Sequence, residues 1–221
     1  MIEKLINDYL LNQQAERAKR ERSGMWSPSS FGRCFRFQFW NRKNEPQSNP
    51  PDARALRIFK VGDLFHKFVG ELLPQAQLEV LVKQDDILGF ADIVLDDCVI
   101  DIKSQHSKSF WYMEKSNYDI VKEKKPNILQ TACYAWILNK PKFNLCFLSK
   151  DDLCVAEYGF VTSRWIAEVE AELKTLRGFW NEDKLPPAEP RCYAGKECVY
   201  CPFRDKCFKL EGKTLLTKKE A

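Results

Sequence analysis

The segment GFADIVLDDCVIDIKS, residues 89–104, sets three charged side chains, Asp92, Asp101 and Lys103, among isoleucine, valine and leucine. Charges inside an apolar strand are costly unless a partner neutralises them. Residues two apart in a strand share one face, so Asp101 and Lys103 point together while the neighbouring isoleucines point to the opposite, buried face. The short Asp96–Asp97 turn folds the preceding strand back, which brings Asp92 towards Asp101.

Two carboxylates that meet at the end of a sheet repel each other unless a cation lies between them. Mg²⁺ or Mn²⁺ suits such a site, because both ions are hard, prefer oxygen ligands and retain several waters. A lysine beside the ion can orient or help deprotonate a bound water and stabilise charge on a phosphate. The pattern therefore predicts hydrolysis of a phosphodiester. The structural alternative is a buried salt bridge between the same residues.

An acidic residue two positions before a lysine is not specific by itself. The same spacing recurs in polar surroundings, at Glu123-x-Lys125, Glu172-x-Lys174, Glu182-x-Lys184 and Glu211-x-Lys213. Only the pair at 101 and 103 alternates with apolar residues and follows a second aspartate in a strand. The other four copies are interpreted as solvated charge pairs.

The elements that must position these residues follow from hydrophobic periodicity and from turn residues. Helices are predicted at 1–22, 53–73, 127–138 and 164–180, and a further helix is predicted to start after the signal Ser27–Ser30. In the segment 53–73 the apolar residues at helical spacing are Leu56, Phe59, Leu64, Phe68 and Leu72. Strands are predicted at 78–82, 86–95, 98–104, 143–149 and 154–160, and the region 104–125 is polar. This order predicts one mixed α/β domain over residues 1–221.

The composition limits the class of protein. A chain of 221 residues with 44% hydrophobic and 13% aromatic residues is typical of a folded globular protein, and a net charge of +4 only permits an anionic partner. No apolar run approaches the length of a bilayer span, so no membrane association is expected and an intracellular, cytoplasmic location is predicted. In that compartment nine cysteines favour metal binding over disulfides.

Four of the cysteines lie in the polar tail, in the pattern Cys192-x5-Cys198-x2-Cys201-x5-Cys207. Cysteines this close in a polar segment indicate a metal centre, because their thiolates must converge on one point. A self-contained zinc site formed by these four residues and an iron–sulfur cluster are both open on spacing alone.

The segment 89–104 resembles the core of the PD-(D/E)xK nuclease superfamily, with aspartate where glutamate is more frequent before x-Lys. Gly62-x3-His66 and Gln130-x3-Tyr134 resemble two further motifs of its RecB-like branch. The resemblance implies a restriction-endonuclease-like core, with a mixed central sheet flanked by helices. It implies that the metal ligands are His66, Asp92, Asp101 and the carbonyl of Ile102, that Lys103 positions the attacking water, and that Gln130 and Tyr134 contact substrate or hold the lysine region.

The tail resembles that of the iron–sulfur members of this branch, the CRISPR-associated four-cysteine exonucleases and the AddB-type nuclease domain. The resemblance implies a [4Fe-4S] cluster held by Cys34, Cys198, Cys201 and Cys207, in a cap built from residues 27–43 and 190–209. Cys192 departs from the pattern and leaves the identity of the fourth ligand open. Metal bonds between such distant residues would offset the entropy of closing a long loop.

The activity implied is that of a Mg²⁺- or Mn²⁺-dependent DNA exonuclease acting on single strands or ends, with CRISPR adaptation proteins or a helicase as possible partners and a possible viral origin. The alternative is a non-catalytic nucleic-acid-binding module with a structural zinc or iron–sulfur site. Candidates for contacting phosphates are Arg33, Arg36, Arg42, Lys43, Lys122, Lys124 and Lys125, and candidates for stacking on bases are Phe31, Phe35, Trp111 and Tyr112.

Overall fold

The computed structural model describes residues 1–19, 23–115 and 117–213. The α-helices within these ranges are α1 (Ile2–Ala18), α2 (Phe35–Arg42), α3 (Ala53–Glu71), α4 (Ser107–Met113), α5 (Ile120–Glu123), α6 (Lys125–Ile137), α7 (Ile166–Asn181) and α8 (Arg204–Leu210). The strands are β1 (Gln77–Gln84), β2 (Ile87–Val94), β3 (Cys98–Gln105), β4 (Lys142–Ser149) and β5 (Val155–Val161). Among these helices, none combines the length and the hydropathy that a bilayer-spanning segment needs.

The five strands form one mixed sheet in the order β1-β2-β3-β4-β5. All neighbours are antiparallel except β3 and β4, which are parallel and are connected through α4, α5 and α6. A parallel pair requires a long crossover, because a tight turn cannot carry the chain back to the start of the next strand. The predicted mixed α/β fold, with its sheet flanked by helices, is confirmed.

Helices cover both faces of the sheet. On one face α6 places Ile128 and Leu129 in a core that includes Val99 and Leu145 from the sheet. On the other face α3 packs Phe65 and other apolar side chains against a second core, and α1 packs in turn on α3. The sheet is therefore covered on both sides, and a functional group in its middle is reached through a gap between strands.

Some predicted details are wrong. The helix expected after Ser27–Ser30 begins only at Phe35, because Gly32 takes a left-handed φ of +73° and approaches α6 so closely that a Cβ would lie 3.0 Å from Pro126 Cα. Cys34 is consequently the N-cap of α2. The polar region 104–125 contains two short helices, α4 and α5.

The helix predicted at 53–73 is present as α3, but four of the five apolar residues at helical spacing do not face the core. Only Leu56 is buried, whereas Phe59, Leu64, Phe68 and Leu72 are exposed. The face that packs on the sheet instead carries Phe65 and Val69. Because α3 is apolar around most of its circumference, spacing alone did not identify the buried side.

Residues near the two ends of the described chain meet in a small aromatic core. Phe37, Phe39 and Trp40 of α2 pack with Phe203, and Cys34, Cys201 and Cys207 lie against the same cluster. The Asn49 backbone N–H also donates to the Pro202 carbonyl at 2.8 Å. The segments 27–43 and 190–209 are therefore in contact.

Candidate nuclease site and cysteine cavity

The sheet opens between β2 and β3. The two strands pair only at Ile93–Ile100 and Val94–Val99, next to the turn. Beyond that point the Asp92 side chain enters the gap, and its Oδ2 accepts a hydrogen bond from the Ile102 backbone N–H at 2.8 Å. A carboxylate thus replaces the backbone acceptor that a continuous ladder would supply, which holds Asp92 at the opening.

His66 and Glu79 join Asp92 at this opening. One ligand atom from each of the three residues lies within 4.8 Å of the other two, and His66 Nδ1 is 3.7 Å from Asp92 Oδ1. α3 brings His66 in from one face of the sheet, while Glu79 stands on β1, between residues that pair with β2 on either side of Asp92. Burial raises the pKa of Glu79, Asp92 adds to the rise, and His66 opposes it.

Glu79 also has a left-handed backbone, with φ of +49°. For a residue other than glycine, asparagine or aspartate this conformation is costly, and like charges facing each other across a strand pair repel. Such local strain is frequent at functional sites, where the surrounding structure holds it in place. A cation between Glu79 and Asp92 would remove the repulsion.

Asp101 and Lys103 lie on the α6 face of the sheet. Asp101 is 2% exposed. Lys103 Nζ lies 2.7 Å from both of its carboxylate oxygens, and Gln130 Nε2 donates to Oδ1 at 3.0 Å. Only the Oδ1 contacts have hydrogen-bond geometry, so Oδ2 accepts no hydrogen bond from the described residues. An oxygen in that condition is suited to binding a cation.

The charges of this pair depend on each other. Burial raises the pKa of Asp101 to about 6, Lys103 opposes that rise, and Asp92 adds to it. Burial lowers the pKa of the Lys103 ammonium, but the Asp101 and Asp92 carboxylates outweigh burial and raise it overall. A neighbouring divalent ion would favour the ionised form of Asp101.

Gln130 and Tyr134 both lie on the inner side of α6. Gln130 is nearly buried and is engaged with Asp101, and Tyr134 is 2% exposed. The Tyr134 ring lies over Gly89 so closely that a Cβ at Gly89 would be 2.5 Å from the phenol oxygen. Burial raises the pKa of Tyr134 and keeps the phenol neutral. This geometry suits the predicted role of holding the lysine region, because neither side chain faces a free surface.

The structure brings together the predicted residues His66 and Asp92, and it places Asp101, Lys103 and Gln130 in contact with one another. His106 caps α4 by accepting from the Lys108 N–H at 3.1 Å. Sequence reasoning missed Glu79. The sequence indicated only that Glu79 lies in the first predicted strand, and nothing in its neighbours marked it as a metal ligand.

Tyr193 was also missed. It comes from the cysteine-rich tail, with φ of +56° next to Ala194 at +49°. Burial raises the pKa of Tyr193, while the Arg33 and Lys103 cations oppose that rise.

The four cysteines assigned by resemblance line one small cavity. Cys34, Cys198, Cys201 and Cys207 all face it, together with Arg36 and Glu197, and Cys192 does not. Burial raises the pKa of the Cys34 and Cys198 thiols, and raises that of Cys201 to about 12. These thiols are therefore protonated in the metal-free protein and must release protons to bind a metal.

Charged side chains hold this cavity in place. Glu197, 2% exposed, accepts from the Cys34 N–H at 2.8 Å and from the Arg191 N–H at 3.0 Å. Arg36 Nη1 lies 3.5 Å from Cys207 Sγ and 2.6 Å from Glu211. Glu172, interpreted above as solvated, is in fact buried, and it accepts from the Gly32 N–H and from both Arg191 Nη atoms.

Several predicted nucleic-acid contacts are wrong. Phe31 is fully buried and Phe35 packs against the core. Arg33 pairs with Glu197, Arg36 is buried, and Arg42 pairs with Asp86 between the rings of Trp26 and Trp180. These side chains stabilise the junction of α2 with the tail and α7. Trp111 and Tyr112 remain exposed.

Solved structures share the mixed α/β fold, a five-stranded mixed sheet flanked by helices. The chain matches the crystal structure of SSO0001 with a TM-score of 0.62 and 19% identity over 98% of each chain. It matches the alkaline exonuclease LHK-Exo from Laribacter hongkongensis with a TM-score of 0.52 and 12% identity over 73% of this chain and 90% of that one. No protein-family model and no curated protein matches the sequence. At these identities the likeness is one of fold.

Proposed function

We propose that the protein is a divalent-metal-dependent deoxyribonuclease that removes nucleotides from single strands or DNA ends. The observation that carries this proposal is the group of His66, Glu79 and Asp92, whose ligand atoms lie within 4.8 Å of one another. Asp92 is hydrogen-bonded to the backbone of Ile102, between Asp101 and Lys103 on the next strand. The fold shared with an alkaline exonuclease supports it. CRISPR adaptation proteins or a helicase are the partners that the sequence resemblance implies.

The donor set fits Mg²⁺ or Mn²⁺. His66, Glu79 and Asp92 form one group, and the buried Asp101 Oδ2 has no hydrogen-bond partner among the described residues, so the candidate ligands are mostly oxygen atoms. The ligands would be His66, Glu79, Asp92, Asp101 and the carbonyl of Ile102. A bound ion would supply neutralising charge at the scissile phosphate and lower the pKa of a water.

The protein's own groups act around that site. The Ile102 N–H fixes the Asp92 carboxylate, and the Gln130 amide fixes that of Asp101. Lys103, 28% exposed, directs its ammonium at Asp101 and can hydrogen-bond a water or a phosphate oxygen from the same position. The two carboxylates therefore keep their orientation before substrate arrives.

We also propose a structural [4Fe-4S] cluster held by Cys34, Cys198, Cys201 and Cys207. Four sulfur ligands around one cavity fit such a cluster. Four thiolates also suit one tetrahedral zinc ion, and the metal content of the purified protein distinguishes the two.

End-labelled single-stranded DNA tests the nuclease. With Mn²⁺ the protein should release short labelled products, and Asp101→Asn should lower the rate by about 100-fold or more. Glu182→Gln, in an exposed copy of the acidic-x-lysine pattern, is the matched control and should cleave at the wild-type rate. Cleavage by Asp101→Asn at the wild-type rate would show that Asp101 is only part of a buried ion pair. Absence of cleavage by the wild-type protein would favour the alternative, a non-catalytic nucleic-acid-binding module.

A further inference from the structure

The helix α4 follows the strand that carries Asp101 and Lys103 with almost no intervening chain. β3 ends at Gln105, and His106 caps α4. Three residues in extended conformation and five in helical conformation lead from Lys103 to Trp111. At about 3.4 Å and 1.5 Å per residue, the two Cα atoms are at most about 18 Å apart. A DNA strand that has a phosphate at Lys103 and runs towards α4 reaches the helix within a few nucleotides.

The orientation of α4 is fixed by its buried side. Phe110 and Met113 are 4% exposed and belong to the core on the α6 face of the sheet. The Met113 carbonyl accepts from the Tyr158 hydroxyl at 3.3 Å. With this side anchored, the two residues between them face outwards, and Trp111 is 57% and Tyr112 48% exposed.

These two aromatic side chains form a small platform with a cation. The rings of Trp111 and Tyr112 lie edge to face with centroids 5.4 Å apart. The Lys115 ammonium lies 4.0 Å from the first centroid and 4.5 Å from the second. Between residues 103 and 125 the chain carries six lysines and three acidic residues. Lys103 and Lys125 pair with Asp101 and Glu168, and the remaining four lysines still outnumber the three acids, a balance that favours phosphate.

We infer that Trp111, Tyr112 and Lys115 form a stacking platform for the unpaired bases of single-stranded DNA. The inference rests on the proposed nuclease function and specifies its substrate. Aromatic side chains stack on any base with little sequence preference, and a nearby cation pairs with the backbone. Bases of an intact duplex stack on each other and present only edges, so this surface discriminates against duplex.

Binding is measured by fluorescence anisotropy with an oligothymidylate of about 16 nucleotides, and with a duplex of the same length, in EDTA to prevent cleavage. Stacking is worth about 1–3 kcal/mol per base, so Trp111→Ala/Tyr112→Ala should weaken single-strand binding at least about fivefold. Duplex binding should change by less than about twofold, since it makes no stacking contact. Trp111→Phe/Tyr112→Phe keeps the aromatic faces and should retain binding.

Two further variants distinguish the contribution of the lysine charge from that of aromatic stacking. Lys115→Ala should reduce the slope of log affinity against log salt by about 0.7, the value for one phosphate contact on a single strand, while the aromatic variants leave it unchanged. Tyr9→Ala is the control, because Tyr9 is 58% exposed on α1, which packs on α3 on the opposite face of the sheet. It should bind like wild type.

Hydrolysis of bis(p-nitrophenyl) phosphate with Mn²⁺ measures the chemical step without DNA binding, because this small ester does not reach the platform. The double alanine variant should hydrolyse this small ester at the wild-type rate. Unchanged single-strand affinity, or an equal loss for duplex, would overturn the platform even if cleavage is normal. A wild-type protein that binds single strands through these residues but hydrolyses no phosphodiester would overturn the nuclease and leave the platform standing.

Discussion

The strand site and the cysteine cavity are assembled in different ways, although each gathers groups that repel one another once ionised. At the strand site, Asp92 and Asp101 belong to neighbouring strands, and backbone pairing sets their distance. At the cavity, Cys34 and Cys198 are 164 residues apart in sequence, and side chains such as Glu197 and Arg36 hold the two segments together.

The two sites differ in what their stability depends on. The strand site depends on register, so its geometry exists without metal, and its buried charges are balanced by Lys103 and Gln130. The cavity closes a long loop with neutral thiols, so its stability depends more on what binds there.

The largest effect is expected at Lys103. Lys103→Met should lower cleavage by about 100-fold or more. In EDTA it should also lower the free energy of unfolding by about 3–5 kcal/mol at pH 8, because Asp101 becomes an unpaired buried charge. The loss should be smaller at pH 5, where Asp101 is protonated. Urea unfolding measures this, with the exposed Lys184→Met as control, and equal stability of both variants at pH 8 would contradict the account.

The cysteine cavity is tested by two serine variants. Cys198→Ser removes a residue that faces the cavity, and anaerobically purified protein should lose most of its iron, its sulfide and its visible absorbance. Cys192→Ser should keep all three, because Cys192 does not line the cavity. If Cys192→Ser lost its iron while Cys34→Ser kept it, the fourth ligand would be Cys192 and not Cys34. Stoichiometric zinc without iron in the wild-type protein would show that the site holds zinc and no cluster.

Cleavage should depend on pH through Asp101. Burial raises its pKa to about 6, and only the ionised carboxylate can bind a metal. At limiting Mn²⁺ the rate should therefore be constant above pH 7 and fall about tenfold per unit below pH 6. A rate that stays constant down to pH 5 would show that Asp101 does not need to lose a proton for cleavage.

The packing of α6 on the site is tested at Gly89. A Cβ there would lie 2.5 Å from the Tyr134 phenol oxygen, so Gly89→Ala should lower the free energy of unfolding by about 1–3 kcal/mol through overpacking. Gly178→Ala is the control, because a Cβ added there meets no neighbouring side chain or distant backbone within 4 Å. Since Gly178 lies inside a helix, its replacement by alanine should raise the free energy of unfolding by up to about 1 kcal/mol. Equal effects of the two changes would contradict close packing at Gly89.

The smallest effect on stability is expected at Glu79. Glu79→Asn places a residue that tolerates positive φ there and removes the repulsion with Asp92, which should stabilise the metal-free protein by about 0.5–1 kcal/mol. It should also weaken Mn²⁺ binding, measured by calorimetry. Asp85→Asn is the matched control, because Asp85 has the same φ of +49° and lies outside the acidic group. Undiminished Mn²⁺ affinity in Glu79→Asn would remove Glu79 from the ligands.

Periodicity and spacing were sufficient for the order of strands and main helices, because alternation in β3 and helical spacing in α6 are local properties of the chain. They also singled out Asp92, Asp101 and Lys103, since charges in apolar strands require partners. Resemblance added His66, Gln130 and Tyr134, and the four cysteines now found around one cavity.

Only the tertiary structure decided the rest. Glu79 lies opposite Asp92 through strand pairing and has an unusual φ. It also decided that Phe31 and Arg36 are buried while Trp111 and Tyr112 are exposed. The physical reason is that burial depends on which elements pack together. A residue's type and its neighbours in sequence constrain only the local conformation, not the surface that a distant segment will cover.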